Sequence, residues 1–223
     1  MDTIYVSSVA LARLCFFAFS KWKVEGKEGI PPRGPLIIAA NHLSNADPAL
    51  VMASLNRKLY SLAKQGLFEN PLTSIIMKSV GAHPVNREGN ALGALQWALN
   101  LLEQDKAILI FPEGSRSKNA ALQRSKPGIG YIALKAQAPV LPIAITGTEN
   151  IPGLWRVAFP RCDITVKIGQ PFTLPYIEGK LTRSLFQQAS DIIMGRVSDL
   201  LPSGYRGFYG TTIMTRSGVS GTL

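Results

Sequence analysis

Leu36-Ile37-Ile38-Ala39-Ala40 is followed directly by Asn41-His42-Leu43-Ser44-Asn45-Ala46-Asp47-Pro48. Five apolar residues, bounded by Pro31, Pro32, Gly34 and Pro35 before them and a polar turn after them, read as a buried strand. Pro48 then starts a helix, with Asp47 placed as its N-cap. Further out the alternation repeats. Residues 59–63 read as a strand, and Asn70-Pro71 opens a helix that stops at Gly81. Leu92, Leu95, Leu99 and Leu102 recur at three- and four-residue steps, as on an amphipathic helix. A buried strand at 107–111, a helix at 129–137, a strand at 140–145, a half-exposed strand at 164–168 and a closing helix at 182–201 complete the series. Strands alternating with helices predict a single α/β domain with a mostly parallel central sheet flanked by helices, its functional loops at the strand ends.

The composition narrows the function classes. The chain has 223 residues and a formal charge of +10, yet 46% of it is hydrophobic and only 17% charged. Its mean hydropathy is +0.14, which excludes a disordered chain. A nucleic-acid binder of this charge carries long Lys/Arg runs. Here the longest is Arg57-Lys58, so nucleic acid is not the expected partner. A basic, greasy chain fits an anionic membrane surface or an anionic lipid. Cys15, Cys162, His42 and His83 are too few for a disulfide framework or a structural zinc site. A reducing compartment and no metal are expected.

The ends differ from the middle. Residues 4–19 are apolar except for Ser7, Ser8 and Arg13. As a helix this run is roughly 24 Å long at about 1.5 Å per residue, short of the roughly 30 Å bilayer core. Asp2 and the lack of a small-residue cleavage site argue against a signal peptide. Lys21, Trp22 and Lys23 suit the headgroup layer, with Arg13 as a further cation for it. Residues 1–21 are therefore expected to form a membrane-interface helix on the cytoplasmic face, peripheral or monotopic, with burial against the domain and a true membrane span as the alternatives. Residues 22–202 form the main domain, and 203–223, rich in Gly, Ser and Thr, are expected to be a flexible tail.

Two segments can carry chemistry. A His at a strand end and an Asp five residues on can fold into one hydrogen-bonded pair. The carboxylate fixes the imidazole tautomer and stabilises the imidazolium, leaving the other nitrogen as a general base. The plain alternative makes Asp47 a helix cap and His42 a loop residue. Phe111-Pro112-Glu113-Gly114-Ser115-Arg116-Ser117 follows the most apolar strand, and no Asp or Glu occurs from 114 to 148. A Gly-Ser turn beside Arg116 offers backbone donors and a guanidinium suited to phosphate oxygens. Between them, Gly81-Ala82-His83-Pro84-Val85-Asn86-Arg87 ends a strand-like stretch on an arginine.

In this order the segments resemble the lysophospholipid acyltransferase family, in particular the bacterial 1-acyl-glycerol-3-phosphate acyltransferases. His42 and Asp47 are similar to its H-x-x-x-x-D block, residues 81–87 to its second block, and 111–117 to its F-P-E-G-T-R-S block with Ser115 in place of Thr. Val140-Leu141-Pro142-Ile143 resembles its fourth, a Pro-containing strand. The likeness covers roughly residues 22–170. It implies transfer of a fatty acyl group from acyl-CoA or acyl carrier protein to the sn-2 hydroxyl of lysophosphatidate, giving phosphatidate for phospholipid biosynthesis. No cofactor is implied beyond the acyl co-substrate.

His42 would be the base and Asp47 its partner. Arg87, Glu113, Gly114, Ser115, Arg116 and Lys126 would bind the phosphate and glycerol, with Glu113 orienting Arg116 or Arg87. Backbone N–H groups near Gly114 are the candidate oxyanion donors. No Gly-x-Ser-x-Gly elbow occurs, and neither cysteine lies near the His–Asp block, so direct transfer is expected. Glycerol-3-phosphate or another lysophospholipid as acceptor, and a lipid hydrolase using the same pair, remain the alternatives.

Overall fold

In the computed structural model, residues 3–85, 91–151 and 153–210 are described. A seven-stranded sheet forms the middle layer, in the order β1-β7-β6-β2-β5-β3-β4. The strands are β1 (Lys21–Glu25), β2 (Leu36–Ala40), β3 (Leu59–Lys64), β4 (Ala82–Val85), β5 (Ala107–Ile110), β6 (Val140–Thr146) and β7 (Asp163–Ile168). The helices are α1 (Thr3–Phe19), α2 (Asp47–Ser54), α3 (Pro71–Ser79), α4 (Ala91–Glu103), α5 (Gly128–Ala136), α6 (Arg183–Leu200) and the short α7 (Gly207–Gly210). All pairings are parallel except β6 with β7. The single α/β domain with a mostly parallel sheet flanked by helices is as expected.

β2 lies at the centre, paired with β5 and β6, and all five of its residues are buried. Leu36, Ile38 and Ala40 face the core that α1 and α2 cover. Ile37 and Ala39 face the core built with α4, α5 and α6. A strand covered on both faces needs an unbroken apolar run, as the sequence of β2 shows. The chain leaves β2 into α2 on one face and leaves β5 into α5 on the other. This is a topological switch point, the place at the carboxyl ends of the strands where open α/β sheets form the crevice that binds ligands.

Several local expectations are corrected. Of the four leucines read as a stripe on α4, Leu102 is buried and Leu95 and Leu99 pack half-buried against the same core, but Leu92 is 76% exposed; Ala94 and Ala98 complete the buried line. Small residues at a close helix–sheet contact carry no hydrophobic signal of their own. Arg13 does not face a headgroup layer: its guanidinium donates to the carbonyls of Ala53 and Leu55 at 2.8 and 2.9 Å and to Asn56 Oδ1 at 2.9 Å. It thereby satisfies the otherwise orphaned carbonyls at the end of α2. Trp22 is half-buried against Phe16, at 5.8 Å between ring centroids, because β1 pairs with β7 and alternates its side chains. Arg57, in the longest basic run of the chain, donates to the carbonyls of Pro31, Arg33 and Gly34 and fixes the loop before β2.

Among the described residues no helix is long and apolar enough to cross a membrane. The tail expectation fails for residues 203–210, which form a 3-10 turn (Ser203–Tyr205) and α7, with Tyr209 only 3% exposed. Residues 211–223 lie outside the described ones.

Candidate active site

The site is assembled at the carboxyl ends of β2, β5 and β6. Asn41, the first residue past β2, is buried and extends the ladder with its side chain. Its amide donates to the Ile145 carbonyl at 2.8 Å and accepts the Ile145 N–H at 2.7 Å. A side-chain amide thus replaces one peptide unit and fixes where the chain turns out of the sheet. His42 follows at the mouth of the crevice.

Asp47 is fully buried and every lone-pair direction it needs is filled. Its Oδ2 accepts from His42 Nδ1 at 2.8 Å, Leu43 N–H at 2.6 Å and Ser44 N–H at 2.7 Å. Its Oδ1 accepts from the Thr148 hydroxyl at 2.6 Å. The expected N-cap role is therefore wrong in detail: Asp47 is the first residue of α2, and its carboxylate turns back onto the preceding loop. Four donors around one carboxylate hold a buried charge that would otherwise be costly.

The arrangement gives His42 one defined tautomer, with Nδ1–H on Asp47 and Nε2 carrying the lone pair. Phe111 stacks on the ring, 4.2 Å between centroids at 22°, and limits its rotation. Among the described residues no side chain takes up Nε2. A base of this kind can accept a proton from a hydroxyl held against it.

The loop after β5 forms the other wall. Glu113 does not orient Arg116. Its buried carboxylate accepts the His42 N–H and the Gln123 N–H, both at 2.9 Å, and so ties the two loops together. Burial pushes its carboxyl above the ordinary value of 4.5, while those two N–H groups pull the other way. The Ser117 N–H reaches the His42 carbonyl at 2.8 Å and adds a second tie.

Gly114 has φ of +72°, and a Cβ there would meet Lys126 Cε at 2.9 Å and Nζ at 3.1 Å. The glycine thus lets the lysine lie along the turn. The Gly114 N–H itself is committed to the Phe111 carbonyl at 3.0 Å, which removes it from the candidate oxyanion donors. Ser115 and Arg116 are exposed on the outer turn, and Lys126 is exposed beside them.

The structure brings His42, Asp47, Glu113, Gly114 and Lys126 together, with Ser115 and Arg116 on the rim. Arg87 lies outside the described residues. Among the described residues no group of three or more His, Cys, Asp or Glu could hold a metal ion.

A family model described as Acyltransferase matches residues 21–146. The chain belongs to the acyltransferase family. Known proteins similar to this chain include the chloroplastic 1-acyl-sn-glycerol-3-phosphate acyltransferase LPAT1 of Arabidopsis thaliana. The two are 30% identical over 143 residues, covering 63% of this chain and 40% of the plant protein. The enzyme of that name from Bacillus subtilis is 30% identical over 151 residues, 67% of this chain and 72% of its own length. The one from Borreliella burgdorferi is 31% identical over 129 residues, 57% and 52% respectively. The chain thus spans only about half the length of the plant and Borreliella relatives, or less. The crystal structure of the 1-acyl-sn-glycerophosphate acyltransferase PlsC of Thermotoga maritima superposes with a TM-score of 0.71 at 25% identity. That match covers 88% of this chain and 79% of the other.

Sequence reasoning missed Thr148, Asn41, Phe111 and Gln123 as parts of this site. Thr148 and Asp47 are 101 positions apart, and only the pairing of β2 with β6 brings them together. Asn41 carried a signal: a polar residue ending a fully apolar strand must find buried partners.

Proposed function

We propose that this acyltransferase moves a fatty acyl group from an acyl-CoA or acyl carrier protein thioester to the sn-2 hydroxyl of 1-acyl-glycerol-3-phosphate, giving phosphatidate. The observation that carries the proposal is the His42–Asp47 pair, at 2.8 Å, on the rim of a crevice whose other wall bears Arg116 and Lys126. The relatives' names point to the same acceptor.

His42 Nε2 takes the proton of the acceptor hydroxyl as its oxygen attacks the thioester carbonyl. Asp47 stabilises the imidazolium that forms. Collapse of the tetrahedral intermediate breaks the C–S bond, and the departing thiolate recovers the proton from His42. A positioned base contributes about 10² to 10⁴ in rate. Holding the two substrates together supplies much of the rest. Arg116, Lys126, Ser115 and Arg87 are assigned to the acceptor phosphate. Glu113, which touches backbone rather than solvent, holds the loop that carries three of them.

The reading extends to the membrane. α1 packs Tyr5 and Phe16 inward and leaves Leu11, Leu14 and Phe17 outward, with Phe17 79% exposed. Its carboxyl end runs into β1 at Lys21, opposite Asp163 at the start of β7. β7 is antiparallel to β6, so this end of α1 lies at the same end of the sheet as His42, three strands away. A contiguous exposed apolar face with Lys21 and Lys23 beside it suits the interface of an anionic bilayer, and brings the crevice to its substrate. The free thiols of Cys15 and Cys162 fit the cytoplasmic side.

The test is thiol release from acyl-CoA by the full chain in detergent micelles, over 1-acyl-glycerol-3-phosphate, glycerol-3-phosphate, lysophosphatidylcholine and monoacylglycerol. The expected result is fastest release with the first. Equal rates with monoacylglycerol would remove the phosphate-binding assignment, and faster release with glycerol-3-phosphate would move the enzyme to that acceptor.

A further inference from the structure

Residues 203–210 lie beyond the stretch matched by the family model, yet they touch the loop after β5 and the turn after β6. Between β5 and α5, residues 111–127 contain no helix or strand, so their course is set by what they pack against. The Leu122 N–H donates to the Tyr205 carbonyl and the Phe208 N–H donates to the Leu122 carbonyl, each at 2.9 Å. This reciprocal pair requires close approach. Gly207 has φ of +42°, and a Cβ on it would stand 2.3 Å from the Leu122 carbonyl oxygen. Three residues on, the Ser125 N–H donates to the Tyr209 hydroxyl at 2.9 Å, and that hydroxyl lies 2.8 Å from Asp191 Oδ1 on α6. Gln123, between the two contacts, donates its N–H to Glu113, and Lys126 next to Ser125 lies against Gly114. The short run 122–126 is thus gripped from outside by the C-terminal segment and from inside by Glu113.

The second grip is on the turn after β6. The Tyr205 hydroxyl donates to Glu149 Oε1, and Glu149 Oε2 accepts the Gly147 N–H at 2.9 Å. Thr148, between Gly147 and Glu149, holds Asp47 Oδ1. Tyr205 is therefore one residue and two hydrogen bonds from the carboxylate that orients His42.

We propose that residues 203–210 are a clasp that sets both walls of the site. Tyr209 is a positioning residue for the acceptor-phosphate loop, and Tyr205 is a positioning residue for Asp47. The role given to each wall rests on the acyl-transfer reading; the clasp itself is a statement about backbone order in 122–126. A simple stabilising contact would act on the whole domain, whereas a clasp acts on one loop and on one kinetic constant at a time.

The test uses the full chain with Tyr209→Phe, Tyr205→Phe and Gly207→Ala, read by amide hydrogen exchange and by steady-state kinetics. Tyr209→Phe removes the hydroxyl that holds the Ser125 N–H, Ser125 Oγ and Asp191 Oδ1, and should speed exchange of the Gln123 and Ser125 amides about tenfold, leaving β2 and β6 unchanged. It should raise KM for 1-acyl-glycerol-3-phosphate about tenfold, with kcat and KM for acyl-CoA within about twofold. Gly207→Ala should reproduce both effects. Tyr205→Phe should instead lower kcat about tenfold at nearly constant KM. Unchanged exchange at Gln123 and Ser125 would overturn the clasp, as would faster exchange spread through β2 and β5. Faster local exchange with an unchanged acceptor KM would overturn the positioning role. If the wild-type chain releases no thiol with any acceptor, the acyl-transfer reading fails, and the exchange arm alone decides the clasp.

Discussion

Replacing Asp47 with Asn separates the charge of the dyad from its geometry. The carboxylate is fully buried, with three N–H donors on Oδ2 and the Thr148 hydroxyl on Oδ1. An Asn in the same rotamer can set its carbonyl oxygen at the Oδ2 position and keep the bonds from His42, Leu43 and Ser44. Its amide then donates to Thr148 Oγ1, which can accept. Shape and His42 tautomer survive, and what disappears is the negative charge beside the developing imidazolium. At the 2.8 Å contact, with charge centres about 4 Å apart and an effective dielectric of about 20, that attraction is roughly 4 kcal/mol. The loss corresponds to about 10³ in rate.

Single-turnover thiol release with 1-acyl-glycerol-3-phosphate measures it directly, with the thermal midpoint as a check on folding. The expected variant is folded, binds the acceptor with near wild-type KM, and is slower by about three orders of magnitude. A folded Asp47→Asn variant within tenfold of wild type would refute the role given to the carboxylate.

Glu113→Gln places an amide donor against one of two backbone N–H groups and should cost about 1–3 kcal/mol of stability, seen as a lower thermal midpoint with a raised acceptor KM. Burial lifts the Glu113 carboxyl above 4.5, so the folded protein holds its proton more tightly than the unfolded chain. The wild-type minus Glu113→Gln stability difference should then grow as pH falls from 7 through that raised value, and a shrinking difference would contradict the burial argument. Cys15→Ser combined with Cys162→Ser should remain active in thiol release, because direct transfer uses neither thiol; an inactive folded double variant would restore an acyl-enzyme step. Leu14→Asp with Phe17→Asp should weaken sedimentation with vesicles of anionic phospholipid at least tenfold while leaving activity in detergent micelles intact; unchanged sedimentation would detach α1 from the membrane.

What could be read from the sequence depends on how local each signal is. The run from Leu36 to Ala40 gave the central strand because double burial demands continuous apolar residues, and the His42–Asp47 pair closes within six residues. Asp47 was misread as a cap because a helix-start carboxylate ordinarily caps. Here the loop ahead of the helix offers two N–H groups and an imidazole instead. Contacts such as Thr148 with Asp47 and Gln123 with Glu113 depend on strand order, which no single segment encodes. Composition misled at the C-terminus: Ser203, Gly204 and Gly207 look like a tail, but Gly207 is there because only a residue without Cβ can lie against Leu122. Cations were also hard to sort, since Arg13 and Arg57 turn out to bind carbonyls rather than anions.

The most direct test of the central claim is the stoichiometry of products from radiolabelled acyl-CoA and 1-acyl-glycerol-3-phosphate. Direct transfer through His42 predicts one phosphatidate for each thiol released, no label on the protein, and loss of both products together in His42→Ala. Labelled free fatty acid in place of phosphatidate would contradict it and make the same His–Asp pair a hydrolase.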